Sequence, residues 1–179
     1  MSTTAVTAAA VAAALALAAC GKVEEKAAEK MIESSLSRDG TQAKVNVSEG
    51  GMKITTTDAT GKTSNMEMGN AQVSEAEVGV PFYPGTKPKE GGSMRMVSGD
   101  ARSLQVGLHS DDAPDKVAAF YRDKLKALAD GKQMMDMSSG DGAMLSVVDD
   151  KTKSAIQVHI GKADPKGSDI MIIATRGGS

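Results

Sequence analysis

The chain of 179 residues has no tryptophan, two phenylalanines, two tyrosines, one cysteine and two histidines. A single cysteine excludes an internal disulfide, so the fold holds together without a covalent cross-link. Four aromatic side chains leave the core to aliphatic residues and to methionine, of which there are 12. Basic residues are dispersed among acidic ones at a formal net charge of −2. There is no basic run of the kind that neutralises phosphates, so nucleic acid is not an expected partner. Charge of either sign is missing from residues 1–19.

That last absence is the most informative, because an uncharged Ala-rich segment cannot form a solvated globular surface. Its apolar part, Ala5 to Ala19, is shorter than the roughly 20 residues that cross a bilayer core, and it ends in small residues as a signal peptide does. Leu17-Ala18-Ala19-Cys20 resembles the lipobox of bacterial lipoproteins. The resemblance implies cleavage before Cys20 and acylation of its thiol, with fatty chains such as palmitate. The region before the apolar run, Met1-Ser2-Thr3-Thr4, has no basic side chain, and Ala16-Leu17-Ala18 also reads as an ordinary A-x-A cleavage site. Secretion with a free Cys20 therefore stays open as the alternative. At roughly 0.8 kcal/mol per buried methylene, a multiply acylated terminus stays on its membrane. Gly21, rather than Asp, after the Cys resembles an outer-membrane address, which implies a protein facing the periplasm.

The remaining 160 or so residues are enough for one domain or two small ones. Val23 to Leu36 carries apolar residues at helical spacing with Glu29, Lys30 and Glu33 on the other face, which predicts an amphipathic helix packing onto a sheet. Ser37-Arg38-Asp39-Gly40 stops it. Alternating pairs follow at Val45 and Val47, Met52 and Ile54, and Met66 and Met68, separated by Gly-containing turns. They predict a three-stranded meander. Val78 to Pro88 holds three prolines and two glycines and reads as a linker. Beyond it, strands are expected around Met94 to Met96, Leu104 to Leu108, Met135 to Met137, Met144 to Val148, Ile156 to Ile160 and Ile170 to Ile173. Between the second and third of these lies a helix with Asp112 as N-cap, Pro114 in the first turn, Gly131 at its end and a stripe of Val117, Phe120, Tyr121, Leu125 and Leu128.

The order of lipobox, helix, β-hairpins, Val80-Pro81-Phe82-Tyr83-Pro84-Gly85-Thr86 and a helix reading Asp111-Asp112-Ala113-Pro114-Asp115-Lys116-Val117-Ala118-Ala119-Phe120-Tyr121 resembles a family of uncharacterised proteobacterial envelope lipoproteins. Those carry a Pro-x-Tyr-Pro-Gly linker before a helix-on-sheet domain. The resemblance covers most of the mature chain and carries no activity. The expected fold is α+β with two small modules, each a helix on an antiparallel sheet: residues 1–19 as leader, 20–77 and 89–179 as the modules, and 78–88 between them.

Candidate chemistry is sparse. His109 and His159 each continue the polar side of a strand, with no carboxylate or Cys at ligand spacing beside them, and read as surface residues. If their strands are neighbours, the pair comes close enough to hold a divalent ion. Asp111-Asp112 and Asp149-Asp150 suit capping and turns rather than a calcium loop. The methionine pairs Met66 with Met68, Met94 with Met96 and Met135 with Met137 each share a strand face. Thioethers are soft donors for Cu(I), but in a chain so poor in aromatics methionine is also the natural core filler, and that is the expectation here. The two Phe-Tyr dipeptides, Phe82-Tyr83 and Phe120-Tyr121, are expected to meet, or else Phe82 and Tyr83 form a surface patch for a partner. The functional expectation is a lipid-anchored envelope module that binds a ligand or protein without catalysis. A Cu(I)-binding lipoprotein and, more remotely, an enzyme with a cleft between the modules are the competing classes.

Overall fold

The computed structural model describes residues 21–139 and 141–177. The leader, the lipobox and Cys20 lie outside the described residues, as does Gly140 of the turn expected at 139–142. Helix α1 (Gly21–Leu36) is followed by strands β1 (Gln42–Ser48), β2 (Gly51–Thr57) and β3 (Thr63–Gly69), then the one-turn helix α2 (Glu75–Val78). Strands β4 (Pro88–Ser98) and β5 (Ala101–Ser110), helix α3 (Pro114–Leu128), and strands β6 (Gln133–Ser139), β7 (Gly142–Asp149), β8 (Ser154–Lys162) and β9 (Ser168–Arg176) complete the order.

All nine strands belong to one antiparallel sheet of order β1-β2-β3-β4-β5-β9-β8-β7-β6. This corrects the expectation of two modules with separate sheets. Strand β3 pairs with β4 from Ser64↔Ser98 to Gly69↔Ser93, so the meander continues straight through. The segment expected to be a linker turns back over β5 and β9, and its Val78, Val80 and Tyr83 are buried in the core. A Pro- and Gly-rich stretch forbids regular structure but does not forbid burial. After β5 the chain crosses behind three strands through α3 to reach the far edge at β6, then returns strand by strand to place β9 beside β5. Fifteen helical residues span about 22 Å, somewhat less than the length of the 8- and 9-residue strands they cross.

Helix α3 packs on β7 and β8 through Val117, Tyr121 and Leu125, all fully buried, with Phe120 and Leu128 half-buried beside them. The core face beneath the helices and the segment at 78–88 is made by the residues that alternate inward on β5 and β7 to β9, among them Leu104, Val106, Leu108, Leu145, Val158, Ile170 and Ile172. The N-cap is Ala113 rather than Asp112, and Ala129 ends the helix two residues before Gly131. Asp112 has other partners: its Oδ2 accepts the Tyr83 hydroxyl at 2.7 Å and its Oδ1 accepts Lys116 Nζ at 3.0 Å. The two Phe-Tyr dipeptides meet. Tyr83 stacks edge-on against Phe120 at 5.2 Å between centroids, and the Tyr83 N–H donates to the buried Tyr121 hydroxyl at 3.0 Å.

Helix α1 packs on the sheet as expected, and does so at the β1 edge. Glu29 Oε1 accepts the Val47 N–H at 2.8 Å, Glu33 Oε1 the Val45 N–H at 2.9 Å and Ser37 Oγ the Ala43 N–H at 3.1 Å. Four helical residues advance about 6.0 Å and two strand residues about 6.7 Å. Acceptors spaced by four on the helix therefore match donors spaced by two on the edge. Glu29 and Glu33, assigned from their spacing to the solvent face, are thus turned to the strand and cover an edge that would otherwise template pairing with another chain.

Candidate functional site

Directly paired residues in a sheet share a face, so the registers sort every strand side chain. On the core face, the row through Leu104 continues into Arg95, Glu67 and Lys53. The polar half of that face is tied together by Arg95 Nη1 to Glu77 Oε1 at 2.7 Å and Lys53 to Glu67 at 2.9 Å. The Arg95 hydrogen bond, with further ones from the Ser74 N–H and hydroxyl, pulls the Glu77 carboxyl down to about 2. In β1 to β4 the apolar residues other than Val97 fall on the opposite face, the one that α3 leaves uncovered on β5 to β9.

That open face collects the methionines. Met52, Met66, Met68, Met94 and Met96 form a block on β2 to β4, with Met66 directly opposite Met96 and Met68 opposite Met94. One row runs on from Met94 through Gln105, Ile173, Gln157 and Ser146 to Met135. The next row is Gly107, Met171, His159, Met144 and Met137. Nine of the 12 methionines thus share one face. Among the described residues no methionine is buried, and only Met134 packs against the core. The expectation of methionine as core filler is corrected: Val, Leu, Ile, Ala and Tyr fill the core, while Met135, Met137, Met171 and Met96 remain 38 to 52% exposed.

The three expected pairs do not converge on one site. Met66, Met68, Met94 and Met96 adjoin one another, whereas Met135 and Met137 sit on β6, five strand positions from β4. Met137 instead joins residues whose role the spacing did not reveal, Met144, His159 and Met171, in a cleft of about 730 Å3. The floor of the cleft is the row just described. One wall is the edge strand β6 with Met137 and Ser139, and the other is Lys89 to Gly92, where β4 bulges out of register between Pro88 and Ser93. Gly161, beside His159, leaves open space where a side chain would stand. A signal for these residues was present in the sequence: Met144, His159 and Met171 each stand between two buried core residues in the alternation, the phase that normally carries polar side chains.

The rim of the cleft is electrostatically organised. Asp169 Oδ1 accepts Lys89 Nζ at 3.0 Å and lies 3.2 Å from His109 Nδ1, and these contacts, Lys89 first, hold its carboxyl below the usual range. His109 is thus paired at the rim, one row from His159 and separated from it by strand β9, and the two do not form a joint site. The charged residues lining the cleft are Lys89, Glu90, Asp141 and Asp169, three carboxylates against one ammonium. Among the described residues the His159 ring accepts and donates no hydrogen bond, and no cluster of three or more His, Cys, Asp or Glu side chains suited to a metal is present. Phe82 is half-buried against the core and Tyr83 is 7% exposed, so their rings are engaged inside the molecule. Comparison of the chain with family models, curated proteins and solved structures finds no match.

Proposed function

We propose that the protein is a non-catalytic binding module of the bacterial envelope, held on the periplasmic side of the outer membrane by acyl chains on Cys20, and that its binding surface is the methionine face. The observation that carries the reading is the separation of residue types. A chain that fills its core with branched aliphatics has placed nine methionines on the face that α3 and the segment at 78–88 leave uncovered, four of them 38 to 52% exposed. Exposed apolar patches of this kind mark interaction sites, and unbranched thioether side chains adapt to what they bind. The anchor is supported by Leu17-Ala18-Ala19-Cys20 at the end of an uncharged run and by the absence of any second Cys to pair with. The helix that starts at Gly21 then leads directly from the membrane to the β1 edge.

Two measurements test this. Cys20→Ser is expected to move the protein from the membrane to the soluble fraction, and intact-mass analysis to show an acylated Cys20; an unmodified thiol or cleavage after Ala18 refutes the anchor. A photoreactive methionine analogue incorporated in the native envelope is expected to crosslink a partner through Met135, Met137 or Met171. Crosslinks confined to other surfaces, or none above the level of a variant with those three residues changed to Lys, refute the face as the binding surface.

A further inference from the structure

We infer that Met144, His159 and Met171 form a binding site for a soft monovalent cation, copper(I) or its mimic silver(I). The inference rests on the methionine face being the binding surface and names the ligand class that one part of it takes. Three neighbouring strands, β7, β8 and β9, present these residues in direct register, Met144 opposite His159 and His159 opposite Met171. At about 4.8 Å between strands, each methionine stands one strand spacing from His159. A methionine side chain reaches across one such spacing, so both sulfurs can meet an ion held at the ring nitrogen.

The donor set decides the metal. Thioether and imidazole without carboxylate or thiolate suit a soft d10 cation and do not suit magnesium, calcium or manganese, which take oxygen ligands. His159 makes no hydrogen bond to any described residue, in contrast to His109, whose Nδ1 is 3.2 Å from Asp169. The ring is free to ligate. The floor position Gly107 and the neighbouring Gly161 carry no side chain over the row, and the cleft of about 730 Å3 opens it to solvent. Met137, next in the row and 50% exposed, stands at the mouth. Three carboxylates against one ammonium around the cleft raise the local concentration of any cation. The block of Met52, Met66, Met68, Met94 and Met96 has no imidazole among its directly paired residues and so lacks the mixed donor set of this row.

The test uses the exported full chain carrying Cys20→Ser, which removes the only thiol that would compete for a soft metal. Silver(I), and copper(I) under anaerobic reducing conditions, are titrated while the methionine methyl and histidine ring signals are followed by NMR. Affinity is read by competition with a chromophoric copper(I) chelator. One equivalent per chain is expected, shifting the Met144 and Met171 methyls and the His159 ring. Met144→Leu, His159→Gln and Met171→Leu are each expected to weaken binding tenfold or more with unchanged melting of the metal-free protein. These side chains are only half-buried or exposed, so folding survives the changes. Unshifted Met144, His159 and Met171 signals, shifts confined to Met66, Met68, Met94 and Met96, or undiminished affinity in the three variants overturns the site. If silver(I) leaves the row silent while photo-crosslinking still maps to Met135, Met137 or Met171, only the cation is wrong; failure of the crosslinking arm counts against the binding face itself.

Discussion

Removing one oxygen atom, in Tyr121→Phe, tests how the segment at 78–88 is attached to the rest of the molecule. Tyr121 is fully buried on α3, and its hydroxyl accepts the backbone N–H of Tyr83 at 3.0 Å. Phenylalanine fills the same volume, so the variant opens no cavity and leaves the edge-on contact of Tyr83 with Phe120 in place. What changes is that a backbone donor buried under a 7% exposed tyrosine loses its acceptor. An orphaned buried donor costs about 1 to 3 kcal/mol, and in a chain of this size each kcal/mol lowers the melting temperature by roughly 2 to 4 °C. The expected loss is therefore roughly 2 to 12 °C by circular dichroism. Urea unfolding should show a lower midpoint at an unchanged slope, because the exposed area on unfolding is the same. Hydrogen exchange at the Tyr83 amide should accelerate in the variant. Tyr83→Phe removes a hydrogen bond to the solvated carboxylate of Asp112 and is expected to cost less, since water replaces that partner. A Tyr121→Phe variant within 0.3 kcal/mol of the parent, roughly the size of routine error in such comparisons, with a Tyr83 amide still protected, would show that the segment is held by its apolar contacts alone.

Glu29→Ala with Glu33→Ala removes the acceptors for Val47 and Val45. It is expected to cost about 0.5 to 1.5 kcal/mol per bond and to speed amide exchange at those two residues at least tenfold, while Val106 and Val158 keep parental rates; equal rates at all four would refute the edge cover. Glu77 sits at about 2 in the folded chain against an ordinary 4.5. A carboxyl with a depressed folded value adds stability above its unfolded value and loses it as the pH falls through the folded one, so this contribution fades between about pH 4.5 and 2. Melting curves of Glu77→Gln should start lower at neutral pH and fall less steeply than the parent across that window; parallel curves would refute the role of the Arg95 pair.

The sequence by itself determined the elements. Alternation at Leu104, Val106 and Leu108, or at Ile156, Val158 and Ile160, is written in consecutive residues, because a strand turns each side chain to the opposite face of its predecessor. The stripe of Val117, Tyr121 and Leu125 follows from 3.6 residues per turn in the same local way, and all nine strands and both long helices stand where such periodicity places them. Tertiary structure decided what those elements join. Strands β3 and β4 pair through backbone groups that every residue carries, so nothing in Met66 to Met68 or Met94 to Met96 announced one continuous sheet rather than two. Phase had the same limit: a period of two set Met144, His159 and Met171 each opposite the apolar residues of its own strand, but only the registers of β7, β8 and β9 brought the three side by side on one face. Only packing made the side with Leu145, Val158 and Ile172 the core. It left the methionines outside because burial is a relation between distant segments, which no single stretch of chain encodes.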